Sequence, residues 1–169
     1  MRVRLFVAAG VVSLAGCGGT ASRTVTVASP PNRPVTRARF IAEADAICRK
    51  TNTELKPYSD EVDRIKSRIT IPTAESLRLM LDPLRRAYRI AQARSDEFGR
   101  LDPPPADAGI VSDYLDAVHR RLAAAADGID AIDSGDVSGL QAAENAVAEA
   151  RATVRGIARG YGFRVCGRS

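Results

Sequence analysis

Tryptophan is absent from this sequence, histidine occurs once, and aromatic residues make up only 5% of the chain. A core of any size must therefore be built from Ala, Leu, Ile and Val, which an apolar content of 45% supplies. The single histidine, His119, excludes a carboxylate-bridged di-iron bundle, which needs two Glu-x-x-His pairs; three residues before His119 stands Asp116. There is no Cys-x-x-Cys or Cys-x-x-Cys-His for zinc or haem. Nor is there a glycine-rich phosphate loop or a Gly-x-Ser-x-Gly elbow. Lysine is scarce beside arginine, and a formal charge of +5 interleaved with acid is too mild to argue for nucleic acid. The expectation is a non-enzyme with no metal and no cofactor.

What is present begins with the leader. Met1-Arg2-Val3-Arg4 is a basic start, and Leu5 to Leu14 is an apolar run too short to span a bilayer as a stable helix. Leu14-Ala15-Gly16-Cys17 then reads as a lipobox. Small residues at Ala15 and Gly16 admit the peptide to a peptidase, and the Cys17 thiol takes the lipid. Residues 1–16 are thus expected to be a lipoprotein signal peptide. Two acyl chains on the diacylglycerol, with or without palmitate or another N-acyl group, meet the requirement for stable anchoring. From Gly18 to Pro34 the chain is rich in Gly, Ser, Thr and Pro without apolar periodicity, so 17–34 reads as the lipidated N-terminus and a flexible tether. Loss of Arg2 and Arg4 with the leader lowers the formal charge to +3. The implied location is the extracytoplasmic face of the cell membrane, with the lipid bilayer as the first partner.

From Thr36 onward apolar residues recur at steps of three and four, so 35–169 reads as a helical domain. The first seam is Phe40, Ala44, Ile47, Thr51, Leu55, Tyr58, Val62, Ile65 and Ile69. A second runs Leu77, Leu81, Leu84, Tyr88, Ala91, Ser95 and Phe98, with Thr73 as its N-cap. The third is Val111, Tyr114, Val118, Leu122, Ala125, Ile129 and Ile132. The fourth, after an N-cap at Asp136, is Leu140, Ala143, Val147, Ala150, Val154, Ile157 and Tyr161. Thr70-Ile71-Pro72 is expected to end the first helix. Gly99 with Asp102-Pro103-Pro104-Pro105, Ser134-Gly135, and Gly160 with Gly162 supply the later breaks. Short loops between long helices imply antiparallel neighbours, hence an all-α, up-down-up-down four-helix bundle.

With Cys17 assigned to lipid, Cys48 and Cys166 remain, and an exported chain can keep a disulfide between them. Cys48 lies about 32 Å from Ile69 at 1.5 Å per residue, and a helix from Asp136 to Arg159 is about as long, so the tail emerges at the height of Cys48. The bundle is therefore expected to be closed by this bond at its tether end. Phe40-Ile41-Ala42-Glu43-Ala44-Asp45-Ala46-Ile47-Cys48, together with Gly162-Phe163-Arg164-Val165-Cys166-Gly167, resembles small exported helical lipoproteins of high-GC Gram-positive bacteria. That resemblance implies the helical fold and the disulfide, and it implies no activity.

Three further groups invite a functional reading. Asp127, Asp130, Asp133 and Asp136 gather where negative charge opposes a helix dipole, a candidate cation or partner contact. The plainer reading is a solvated helix end with Asp136 capping the next helix. Arg151, Arg155 and Arg159 form a stripe suited to anionic headgroups at a membrane surface, or simply to a helix C-terminus. Pro57 and Pro83 interrupt two seams at similar height, near Tyr58, Tyr88 and His119, with Tyr114 about a turn away. This layer is a candidate ligand pocket, or ordinary core with His119 on the surface.

The chain reads as a membrane-anchored, non-catalytic binding or envelope-interaction module meeting an envelope protein, or else as a small-ligand carrier or sensor. Labelling cells with radioactive fatty acid is expected to mark the wild-type protein and leave Cys17→Ala unlabelled.

Overall fold

The computed structural model describes residues 35–71 and 73–168. The leader, the lipobox with Cys17 and the tether lie outside the described residues. Within them the chain is all-helical, with five α-helices, one 3-10 turn and no strand.

The first helix, α1 (Arg37–Lys66), starts where Thr36 leaves the extended region and its side chain accepts the Arg39 N–H. It continues through Pro57, whose ring points to solvent. Its end comes earlier than the Ile71-Pro72 signal. Arg68 and Ile69 donate to carbonyls only three residues back, tightening the chain out of the α-helix after Lys66.

The second seam is not one helix, which corrects the sequence expectation. It divides into α2 (Ala74–Arg78), opened by a reciprocal capping box between Thr73 and Ser76, and α3 (Leu81–Gly99). Pro83 is the reason. A proline ring clashes with the carbonyl four residues earlier, here Leu79, and the break falls at Leu79–Met80. Pro83 then occupies the first turn of α3, where a missing N–H costs nothing, so it starts a helix instead of interrupting one.

A 3-10 turn at Pro105–Asp107 leads into α4 (Ala108–Ser134), and Gly135 with Asp136 turns the chain into α5 (Val137–Tyr161). Gly135 adopts φ 77°, a left-handed conformation that closes α4, and the Asp136 carboxylate accepts the Gly139 N–H at 3.0 Å. Small side chains line this hairpin: Ala117, Ala124 and Ala131 on α4 and Ala143, Ala150 and Ala158 on α5 are all buried. A methyl group placed on Gly128 would sit 3.4 Å from the Ala143 side chain, which shows how close the two backbones run. Beyond this hairpin, α1 packs on α3 and α3 on α4, while α1 and α5 scarcely approach through their backbones.

The buried residues form two clusters. One joins Phe40 and Ala44 from the start of α1, Phe98 from the end of α3, Val111, Tyr114 and Ala117 from the start of α4, and Val154, Ala158 and Tyr161 from the end of α5. The other joins Val62, Met80, Leu81, Ile129 and Ile132 from the opposite helix ends, with Leu77 and Leu140 packed on it.

After Tyr161 the chain turns at Gly162, φ 101°, and folds back, placing Phe163 in the first cluster. Cys166 is bonded to Cys48 across 118 residues. The Asp45 carboxylate, itself buried, accepts the backbone N–H groups of Arg164, Val165 and Cys166 at 3.0, 2.9 and 3.1 Å. Three backbone donors that a bundle end would otherwise bury unpaired are thereby satisfied.

Closing so long a loop restricts the unfolded chain by about 4–5 kcal/mol in the chain-entropy treatment. Urea unfolding of Cys48→Ser/Cys166→Ser is expected to show a loss of that order, or of about 2–5 kcal/mol by general experience with native disulfides.

Candidate functional site

A residue at a seam position faces the inside of a bundle, but facing inward is not the same as being packed. On every long helix the seam is buried near the ends and only half-buried in the middle: Ile47, Thr51 and Leu55 on α1, Leu84, Tyr88 and Ala91 on α3, Val118, Leu122 and Ala125 on α4, and Val147 on α5. These residues line a cleft of about 650 Å³ between the helices, half-open to solvent. Its lining follows α1 from Ile47 to Lys66 and α4 from Tyr114 to Ile132, the latter a rise of about 27 Å, so the space is long and narrow. The volume falls in the ~300–1,000 Å³ range of small-molecule sites, and most of the wall is aliphatic.

A few polar groups interrupt that wall. Arg94, from α3, reaches Glu54 on α1 through two bonds of 2.9 and 2.8 Å and also pairs with Glu97, so its charge is compensated. Ser95, the next residue, belongs to the lining, but its hydroxyl is itself shut off from solvent and has no hydrogen-bond partner. Tyr114 lines the same end, and burial pushes its hydroxyl up to about 12, so it stays protonated at neutral pH. Arg121 lies on the wall one to two turns further along α4. Burial and the neighbouring Arg151 and Arg155 guanidiniums hold its pKa below the usual arginine value.

Of the four residues nominated for a pocket, Tyr88 and Tyr114 line the cavity. Tyr58 does not; it lies in a separate surface hollow with Arg86 and Arg89. His119 is exposed and lines neither space, because it falls on the solvent face of α4 beside the seam residue Val118. The proline pair does not create the opening, since Pro83 starts α3. The space comes from small side chains and from the separation of α1 and α5.

The acidic series is exposed and partly committed. Asp133 pairs with Arg85 at 2.7 Å, its backbone carbonyl accepts from Arg78, and Asp136 is the cap of α5, its pKa lowered by the Gly139 N–H and the Ser138 hydroxyl. Asp127 and Asp130 face solvent. Among the described residues no group of three or more His, Cys, Asp or Glu side chains is arranged to hold a metal ion. Arg151, Arg155 and Arg159 are exposed on α5.

Two buried carboxylates escaped the sequence reading, Asp45 and Asp107. Asp107 receives Arg37 in a fork and the Tyr161 hydroxyl at 3.0 Å, while the Arg37 guanidinium lies over the Tyr161 ring at 5.1 Å. The signal was faint: an Asp just before a helix reads as a cap, yet this side chain makes no capping bond. The Arg37 bond, followed by that of Tyr161, holds the Asp107 carboxyl below its ordinary value against an opposing effect of burial.

A depressed carboxylate pKa stabilises the fold above the unfolded value, about 3.9, and the contribution disappears as pH falls through the folded value. Asp107→Asn is therefore expected to be less stable than wild type in urea at pH 6, with the gap narrowing steadily below pH 4. A gap independent of pH would mean the carboxylate charge does not matter there. No family model, curated protein or solved structure matches this chain, so its site is read from geometry alone.

Proposed function

We propose that this protein is a lipid-anchored, exported binding protein whose helical domain holds an elongated apolar ligand, acting as a carrier or sensor without catalysis. The observation that carries this reading is the long aliphatic cavity of about 650 Å³ between two well-packed ends. A half-open cleft of this size leaves aliphatic side chains facing water that closer helix packing would have buried. A binding protein has a use for such a cleft, and a merely structural spacer has none.

The anchoring half of the reading rests on the lipobox at Cys17 and on the resemblance to small exported lipoproteins of high-GC Gram-positive bacteria. In this reading the four long helices run up-down-up-down, with α2 a single turn set off from α3. Support comes from the alternation of helix ends between the two clusters. The described domain begins, with α1, at the end closed by Cys48 and Cys166.

A second reading, contact with an envelope protein, draws on exposed apolar side chains. Leu79 and Val137 are 64% and 68% exposed, and they flank the turns at the α4–α5 hairpin end, with Ile71 exposed on the connection into α2. The cavity is the more specific feature, because scattered surface apolar residues are common.

Filling the cavity separates the two. Ala91→Phe and Ala125→Phe project bulk into the space, so each is expected to weaken binding of an uncharged alkyl fluorophore about tenfold or more, since the site itself is occupied. The thermal midpoint is expected to hold or rise. Wild-type protein that shows no saturable binding of such a probe would refute the carrier reading.

A further inference from the structure

The polar side chains of the cleft are unevenly placed, and their placement points to a ligand class. We propose that the cleft takes one unbranched alkyl chain lying along its length, of up to about 21 carbons, with the polar head left in water at the mouth. This rests on the reading of the cleft as a ligand site and adds the class and size of its occupant.

The mouth is the first observation. α1 packs on α3, α3 on α4 and α4 on α5, while the backbones of α1 and α5 stay apart, so the cleft opens between those two helices. Asn52 and Lys66 on α1 and Glu144 on α5 belong to its lining, and Lys66 and Glu144 are exposed. Their two charges are opposite, and Arg151 and Arg155 lie outside the lining, so the rim selects no one kind of head. At one end the folded-back tail bridges the opening: Cys48 and Gly167 both belong to the lining, and Cys166 is bonded to Cys48.

The second observation is that the polar groups deeper in the cleft are engaged or withdrawn. The Thr51 hydroxyl donates to the Ile47 carbonyl at 2.8 Å, and Arg94 is held by Glu54 and Glu97. Arg121 has a partner of its own, and the Ser95 hydroxyl is shut off from solvent. Tyr114 packs its ring against Phe98 and Phe163. What remains for a ligand to touch is aliphatic: on α4, Val118, Leu122, Ala125 and Ile129 follow one another at intervals of about a turn. A polar head laid against that wall would lose its water without replacement, whereas an alkyl chain has no such cost.

The dimensions are the third observation. The lining reaches residues of both packed clusters, Phe98 and Tyr114 at one end and Met80 and Ile132 at the other, so its length is bounded. Tyr114 to Ile132 is a rise of about 27 Å. Bonds of about 1.52 Å meeting at about 111° advance a zigzag chain by about 1.25 Å per carbon, so that length takes about 21 carbons. Spread along it, about 650 Å³ gives a mean section of about 24 Å². With atoms in contact about 3.5–4.0 Å apart, such a section holds one chain and leaves no room for a second beside it or for a fused-ring body.

The test uses the full chain carrying Cys17→Ala, so that no attached lipid competes, and follows displacement of an uncharged naphthylamine fluorophore. The competitors are straight-chain alcohols of about 10 to 26 carbons, supplied from cyclodextrin so that they stay monomeric. Affinity is expected to rise about two- to fourfold with each added carbon and to level off near ~21 carbons. Ala91→Phe and Ala125→Phe each block the cleft about 10 Å from one end and leave about 16 Å, so each is expected to bring the levelling-off down to about 13 carbons. Circular dichroism accompanies both variants. Leu79→Ser/Val137→Ser, which alters exposed apolar residues outside the lining, is expected to leave the length profile unchanged. At equal chain length the carboxylate and the trimethylammonium salt are expected to bind within about tenfold of the alcohol. A larger head preference, affinity that ignores chain length or keeps rising past ~21 carbons, or displacement by a four-ring steroid alcohol as strong as by the best chain overturns this assignment and leaves the cleft reading standing. So does a probe that binds saturably and that none of the chains displaces. Absence of saturable probe binding overturns both.

Discussion

A helical bundle needs bulk between its helices, and this chain gathers five of the seven aromatic side chains among its described residues at one end. Phe40, Phe98, Tyr114, Tyr161 and Phe163 form a single network, with ring centroids 5.1 Å apart for Phe98 and Tyr114, 5.2 Å for Tyr114 and Phe163, and 4.8 Å for Tyr161 and Phe163. One member, Phe163, lies outside the helices altogether. It reaches the network only because Gly162 reverses the chain and because Asp45 and the disulfide hold the segment that follows. The buried carboxylate, three backbone donors and one covalent bond are therefore part of how the core is filled, and not a decoration at the end of the chain. An aspartate at this depth is tolerated because its oxygens are occupied by N–H groups that themselves need partners.

With five rings gathered at one end, the middle of the bundle is left mostly to aliphatic side chains, with Tyr88 the aromatic exception on the cleft. On the α4–α5 side small residues solve the packing by bringing two helices close, as the Gly128–Ala143 approach shows. The same solution is absent between α1 and α5, where the backbones stay apart, and the result is a cavity flanked by two packed clusters. Such a space weakens the fold, in proportion to the contacts its walls lack. Closure by the disulfide and the Asp45 clamp offsets that weakness at one end, and Met80, Leu81, Ile129 and Ile132 pack the other. A molecule that occupies the space would add stability by mass action, since it binds the folded chain alone. In this sense the proposed ligand completes a core that the sequence leaves incomplete.

Much of the architecture was legible in the sequence because it depends on local rules. The seams, the caps at Thr73 and Asp136, the breaks at Gly135 and Gly162 and the pairing of Cys48 with Cys166 all follow from spacing and short-range chemistry. The division of the second helix did not follow, because Pro83 is compatible with two outcomes: a kink within one helix or the first turn of a new one. Periodicity alone does not choose between them. Nor did the pattern reveal the cavity. A 3.6-residue repeat shows which face turns inward, whereas filling depends on side-chain volumes from four helices at one height. For the same reason His119 was drawn toward the interior by its height in the chain, although its angular position on α4 turns it to solvent. Asp45 and Asp107 were missed because their partners lie 54 to 121 residues away.

The three buried polar side chains also show how structural and ligand-directed polarity can be told apart. Asp107 is saturated by Arg37 and Tyr161, and Asp45 by the backbone of the tail. Each is explained by the fold around it, and neither borders the cavity. Ser95 differs, since the residue borders the cleft and its buried hydroxyl has no partner. Burial alone therefore does not mark a site; what matters is whether the fold satisfies the group it has buried. By that criterion neither buried carboxylate marks a ligand site, and Ser95 is the buried polar side chain among the described residues that the fold leaves unsatisfied. What the fold leaves open instead is the cleft, whose length and aliphatic walls suit the extended apolar ligand proposed for it.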